Sequence, residues 1–317
     1  MENKALKAIQ RILEDIGIGN LMEILGSKIP YSDLNTLLLE VFRKRTNDIS
    51  PSELLKKYSM NRFVHPADID PIWLRQLEID LLMIARSSLY TPIQISPVSP
   101  LGSCSVVATA DQNKVISALR GTEVVSDATN LLALHICDLI KKGKMNHDSD
   151  LIRFCTSHRH IRAQKFDKPG LVPHFNIFCM VSSGRDKGGY SFEKQAFLEH
   201  IDVYRKIFKT VFNTDITVKI NASRGYNDSE GLIQKLSEHI NEKSDVSLLK
   251  NKVVRDNLYY QGLHFTIIMK LNEQEINIGD GGIVDWSQKL LGNRKERMII
   301  SGIGLDMINF LLNREAY

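Results

Sequence analysis

Along residues 1 to 70 the apolar positions, mostly Leu, Ile and Val, recur at three- and four-residue spacing without sustained alternation, which predicts a succession of helices. One start is marked in the sequence itself. In Ser50-Pro51-Ser52-Glu53 the serine can cap, the proline fits the first helical position, and the glutamate can reach back to the cap backbone. Asp70-Pro71 opens a second amphipathic stretch through Trp73, Leu74, Leu77, Ile79, Leu81 and Ile84 to about Tyr90. The pattern then changes. Thr91 to Val98 reads as extended and proline-punctuated, and Cys104–Ala110 with Val115–Leu119 reads as a hairpin around Asp111-Gln112-Asn113. Beyond it, helices are predicted at 122–142, 191–210, 228–241 and 304–313, and strands near 151–163, 174–182, 215–220, 262–271 and 275–279. Short turns such as Asn272-Glu273 join strand pairs, so the sheet is expected to be largely antiparallel. The expected fold class is α+β: a helical region over 1–69, then an antiparallel sheet flanked by helices over 70–317.

Composition narrows the function classes. The 317 residues are 43% hydrophobic and 25% charged, the make-up of a globular chain able to bury its own core. Its four cysteines are scattered and form no C-x-x-C pair, which argues against a zinc ribbon or a disulfide scaffold and fits a reducing compartment. The net charge of +4 gives little support to a nucleic-acid binder. No apolar run is long enough to span a membrane, and the Met1-Glu2-Asn3-Lys4 start lacks a signal-peptide pattern, so a cytoplasmic protein without a membrane partner is expected.

The densest chemistry lies in Arg255-Asp256-Asn257-Leu258-Tyr259-Tyr260-Gln261-Gly262-Leu263-His264-Phe265 and in Gly279-Asp280-Gly281-Gly282-Ile283-Val284-Asp285. On residue types alone these are an exposed arginine, a core tyrosine and a glycine turn at a strand end. Their order, followed by Gly302-Ile303-Gly304-Leu305-Asp306, resembles the C-terminal half of the catalytic domain of histidyl-tRNA synthetases. It is similar also to their non-charging relative, the regulatory subunit of ATP phosphoribosyltransferase.

Within that resemblance, the helix from Asp70 with Tyr90-Thr91-Pro92-Ile93 is similar to motif 1 of class II synthetases, which makes the family's dimer interface; a homodimer is implied. Leu119-Arg120-Gly121-Thr122-Glu123 stands where the family holds its amino-acid substrate, which implies Arg120, Thr122 and Glu123 as substrate contacts, the latter two for the amine. Ile161-Arg162-Ala163-Gln164, the loop to Pro173 and His174-Phe175 are similar to motif 2, which grips ATP; the resemblance implies ATP with Mg²⁺ as cofactor, held by Arg162, Gln164, His174 and Phe175. Arg162 and Arg255 would neutralise phosphate and the reacting carboxylate as the catalytic pair. Tyr259 and Tyr260 would line the acyl pocket, while Gly281, Gly282 and Gly302 would let ligand approach backbone closely.

The chain also departs from the family pattern. The motif 3 arginine position carries Met307, motif 2 reads Arg162-Ala163-Gln164 rather than Arg-x-Glu, and the positions that hold the histidine amine fall on Ile177 and Val181. The implied function is ATP-dependent activation of an amino acid or related small carboxylate for a non-tRNA acceptor, which could be a protein. The alternative is a non-catalytic, amino-acid-sensing subunit of a partner enzyme. The chain ends just past motif 3, so tRNA is not an expected partner.

Other constellations stay open. Alternation puts His158, His160 and Arg162 on one strand face, as a basic strand facing phosphate or, with Cys155 or His174 as third ligand, a metal site. Ser182 to Tyr190 has the composition of a phosphate loop without its spacing, and Cys104 reads as a nucleophilic or a buried structural thiol. The polar groups of Gly121 to Asp127 could cap a helix, bind a ligand amine, or both.

Overall fold

The computed structural model describes residues 2–147, 150–164, 172–255, 259–271 and 274–313, with side chains over the same spans except 2–4, 252–255 and 313. The chain divides into two compact units, Met1–Asn61 with Ala118–Thr122, and Arg62–Ser117 with Glu123–Tyr317. The helical part thus ends at Asn61, and a short piece of chain from the middle of the sequence belongs to it.

The first unit holds α1 (Glu2–Ile16), α2 (Leu21–Glu23), α3 (Tyr31–Asn47) and α4 (Pro51–Met60). The capping box forms as the sequence indicates: Glu53 N–H donates to Ser50 Oγ at 3.3 Å, and Ser50 N–H donates to the Glu53 carboxylate at 3.0 Å. The Ala118–Thr122 segment is fastened by its backbone, with Arg120 N–H donating to Asn35 Oδ1 at 2.7 Å and Gly121 N–H to the Tyr31 hydroxyl at 3.0 Å.

The second unit is built on a sheet. It contains α5 (Pro71–Ser87), β1 (Thr91–Pro92), β2 (Val98–Pro100) and, shared with the first unit, β3 (Ser117–Ala118) and β4 (Thr122–Val124). There follow α6 (Ala128–Lys141), β5 (Ile152–Ile161), β6 (His174–Arg185), α7 (Ser191–Val211), β7 (Ile216–Ser223), α8 (Ser229–Lys243), β8 (Ser247–Arg255), β9 (Leu263–Leu271), β10 (Gln274–Val284), α9 (Trp286–Leu291), β11 (Glu296–Gly304) and α10 (Leu305–Asn313). Eight strands pair in the order β1-β5-β6-β11-β10-β9-β7-β8, antiparallel except for β1 with β5 and β7 with β8. Alternation along β6 sends Phe178 and Met180 into a core formed with α5, α7, α8 and α10, and Cys179 and Val181 into a second core formed with α6 and Trp286. The second face carries the cavity described below.

The structure corrects three sequence-based expectations. Cys104–Ala110 is not a strand: Ser103–Val107 forms a π-helical turn opened by Gly102 at φ 92°. The Glu123 carboxylate holds that turn by accepting from Gly102 N–H at 2.8 Å and Cys104 N–H at 3.0 Å, a long-range contact that local alternation cannot encode. The helix expected from 122 starts at Ala128, because Asp127 is its cap. Gly281-Gly282 is not a turn but lies inside β10, paired with β11 on one side and β9 on the other. The Asn272-Glu273 turn and residues 165–171 of the motif 2 loop lie outside the described residues.

Candidate functional site

A cavity of about 510 Å³ opens on the second face of the sheet, lined wholly by residues of the second unit. Its floor is mostly backbone and small side chains: Gly279, Gly302 and Gly304 with Cys179 and Ile177. A Cβ added at Gly302 would meet the Ile177 side chain at 2.9 Å, so the floor has no room for one.

The N-terminus of α6 makes one wall through Ser126, Asp127, Thr129 and Asn130. Asp127 caps the helix, accepting from Thr129 N–H at 2.9 Å and Thr129 Oγ1 at 2.6 Å, and takes the Tyr259 hydroxyl at 2.6 Å on its other oxygen. Burial alone would raise this carboxyl, but the Arg162 guanidinium overrides it and holds it below the usual carboxylate range. Arg162 is fixed in turn: its Nε donates to the Ser126 carbonyl at 3.1 Å, and its guanidinium lies 5.3 Å from the Phe175 ring centroid.

Beneath Arg162, Phe175 stacks on His160 with ring centroids 6.1 Å apart, and His160 Nε2 accepts from Ala128 N–H at 2.8 Å. Burial pushes His160 down to about 3, so the ring is neutral and serves as an acceptor. One buried histidine thus joins β5 to the start of α6.

The opposite wall is aromatic. Tyr259 meets Tyr260 edge to face at 4.8 Å and Trp286 at 5.5 Å, while Tyr260 stacks on His264 at 4.9 Å. Gly282 lies under Tyr260, where a Cβ would run into the Leu263 carbonyl and the tyrosine ring. The Tyr260 hydroxyl bonds Asp280, whose carboxylate lies 3.5 Å from His264 Nε2. Lys114 and Gln164 complete the lining beside Arg162.

Of the sequence-derived candidates, Arg162, Gln164, Tyr259, Tyr260 and Gly302 come together around this cavity, with Gly282 and Phe175 supporting it. Gly281 faces the other core, where a Cβ would strike Phe265. His174 is engaged elsewhere: Arg159 Nε donates to its Nδ1 at 2.9 Å, and its Nε2 lies 2.6 Å from the His65 carbonyl. Glu123 is taken up by the backbone N–H groups named above and by Gln112 Nε2 at 2.9 Å. Arg120 and Thr122 belong to the first unit, where Thr122 Oγ1 donates to the Leu119 carbonyl at 2.8 Å. Arg255 ends β8 opposite Ser223, and its side chain lies outside the described residues.

The cavity acids are therefore Asp127, which the sequence offered only within the Gly121 to Asp127 run as a helix cap or amine contact, and Asp280, which it did not single out. The signal for the first was legible in Ser126-Asp127-Ala128-Thr129, a cap directly before an apolar helical run. Cys104 also lines the cavity. Its thiol lies 2.8 Å from Ser126 Oγ and accepts from Asn130 Nδ2 at 3.1 Å. Burial raises it to about 11, so it is a protonated packing group at neutral pH. Among the described residues, no group of three His, Cys, Asp or Glu could hold a metal ion.

This sheet with its flanking helices defines a class II synthetase-like fold. The chain is similar to the histidyl-tRNA synthetase of S. aureus at 14% identity and TM-score 0.61, over 79% of this chain and 69% of that one. It is similar also to an ATP phosphoribosyltransferase regulatory subunit/histidyl-tRNA synthetase from Bacillus halodurans at 13% identity and TM-score 0.59, over 77% and 81%. A putative threonyl-tRNA synthetase from Aeropyrum pernix aligns at 13% identity and TM-score 0.61, over 78% of this chain and 60% of that one. No family model and no curated protein matches the sequence.

Proposed function

We propose that this chain binds an amino acid or a related small carboxylate in the cavity and activates it with ATP as an acyl adenylate for a non-tRNA acceptor. The observation that carries this reading is Arg162, held by Ser126 and Asp127 over the Phe175 ring, facing a glycine floor that ends at Asp280. Adenylation brings a carboxylate oxygen onto the α-phosphorus of ATP as the bond to pyrophosphate breaks. The like charges need a fixed cation, and a planar guanidinium can grip phosphate with two hydrogen bonds. Arg162 and Gln164 would hold the nucleotide, and Mg²⁺ would arrive on the phosphates. Tyr259 and Tyr260 would shape the acyl side.

A second reading is a non-catalytic subunit that keeps the amino-acid cavity and serves a partner enzyme. It is favoured by the engagement of His174 with Arg159 and His65, and by Met307 at the motif 3 arginine position. In either reading the chain would pair with a second copy through α5, which exposes Ile72 at 79%, Ile79 at 50% and Met83 at 65%.

Pyrophosphate exchange into ATP, with Mg²⁺ and pools of amino acids, tests the catalytic reading. Exchange dependent on one pool and lost in Arg162→Ala supports activation. Thermal stabilisation by an amino acid without exchange supports the second reading, and neither response to any pool sinks both.

A further inference from the structure

The two cavity acids are not equivalent. A carboxylate offers about four acceptor sites. Asp127 has spent three of them on Thr129 and Tyr259, and its charge is matched by Arg162. Asp280 receives the Tyr260 hydroxyl, has His264 Nε2 at 3.5 Å, and keeps its side chain 58% exposed. It stands between Gly279 and Gly281, and pairs with Gly302 on one neighbouring strand and Thr266 on the other, so the β11 side of it carries no side chain. In the sheet order β5-β6-β11-β10, its strand lies three places from the one that leads to Arg162. The registers set Asp280 level with Gly302, Cys179 and Thr156, so Arg162 also lies further along the sheet and the two residues stand at opposite ends of the cavity they both line.

Resting on the amino-acid reading above, we infer that Asp280, oriented by Tyr260, is the specificity-determining acceptor for a cationic side-chain terminus, an ammonium or guanidinium, of the bound ligand. Arg162 takes the carboxylate end and Asp280 the distal cation. A neutral ligand of the same shape would cover Asp280 while giving its carboxylate no partner, and that desolvation is what excludes it.

The test is calorimetric titration of the full chain, with and without ATP and Mg²⁺. The probes are L-arginine against L-citrulline, L-lysine against L-norleucine, and the decarboxylated amines agmatine and cadaverine. Each cationic amino acid is expected to bind at least about tenfold more tightly than its neutral isostere, the loss of one charge-assisted hydrogen bond. Asp280→Asn should erase that difference while leaving the unliganded melting temperature in place, because the side chain is largely exposed. Equal binding of the isosteres to the wild-type protein, or a preference that survives Asp280→Asn, overturns the role of Asp280 and leaves the amino-acid reading standing. Binding of the amines as tight as their amino acids, lost in Asp280→Asn, keeps the role of Asp280 and overturns the amino-acid reading. If none of the six binds, both fall.

Discussion

His160 and His200 are both fully buried, and burial pushes each down to about 3 from an ordinary value near 6.5. His200 sits in a buried polar cluster, its Nδ1 2.6 Å from Ser301 Oγ and its Nε2 3.1 Å from Ser182 Oγ. Both native rings stay neutral while the unfolded chain takes up protons, so stability is greatest above pH 6.5 and falls as the pH drops from there toward 3. Each ring contributes about 1.4 kcal/mol per pH unit inside that window. Urea midpoints taken between pH 7 and pH 5 should decline accordingly. His160→Gln, which keeps an acceptor for Ala128 N–H, should flatten the decline.

Among the elements, α5 is fastened to the sheet by one buried carboxylate. Glu78 accepts Ser157 Oγ at 2.8 Å and Asn176 Nδ2 at 2.6 Å on one oxygen, and the Arg75 guanidinium at 2.6 Å on the other. Removing it leaves buried donors on β5 and β6 without a partner. Glu78→Ala is expected to cost about 2–3 kcal/mol in urea unfolding, and Glu78→Gln less, since an amide oxygen can still accept. The helix that bears Glu78 was fully legible in the sequence, because Asp70-Pro71 and the spacing of Leu74, Leu77 and Leu81 are local signals. So were β5, β6, α7, α8 and α10, whereas the short α9 was not. The segment from Gly102 to Glu123 was not, because its shape depends on a carboxylate distant in sequence gathering two backbone N–H groups. The cavity was legible in the same partial way. Arg162 and the tyrosines stand out by residue type, whereas Asp127 and Asp280 gain their meaning from the strands and cap that carry them.

At the scale of the whole molecule, the exposed apolar side chains on α5 are the face through which the proposed pairing with a second copy would run. Met83→Asp, placed on a face that is already 65% exposed at that residue, should leave the monomer fold unchanged and shift the mass in light scattering from dimer to monomer. An unchanged mass would assign that face to solvent or another partner. The two units also differ in how the chain composes them. Each is discontinuous, since Ala118–Thr122 belongs with Met1–Asn61 although it lies well inside the sequence of the other unit. A gene segment ending at Asn61 therefore specifies only part of the helical unit, and its deletion strands Arg120 and Gly121 without Asn35 and Tyr31. An exchange of residues 1 to 61 for another helical segment would keep these two hydrogen bonds only with a matching acceptor for the loop that follows Ser117.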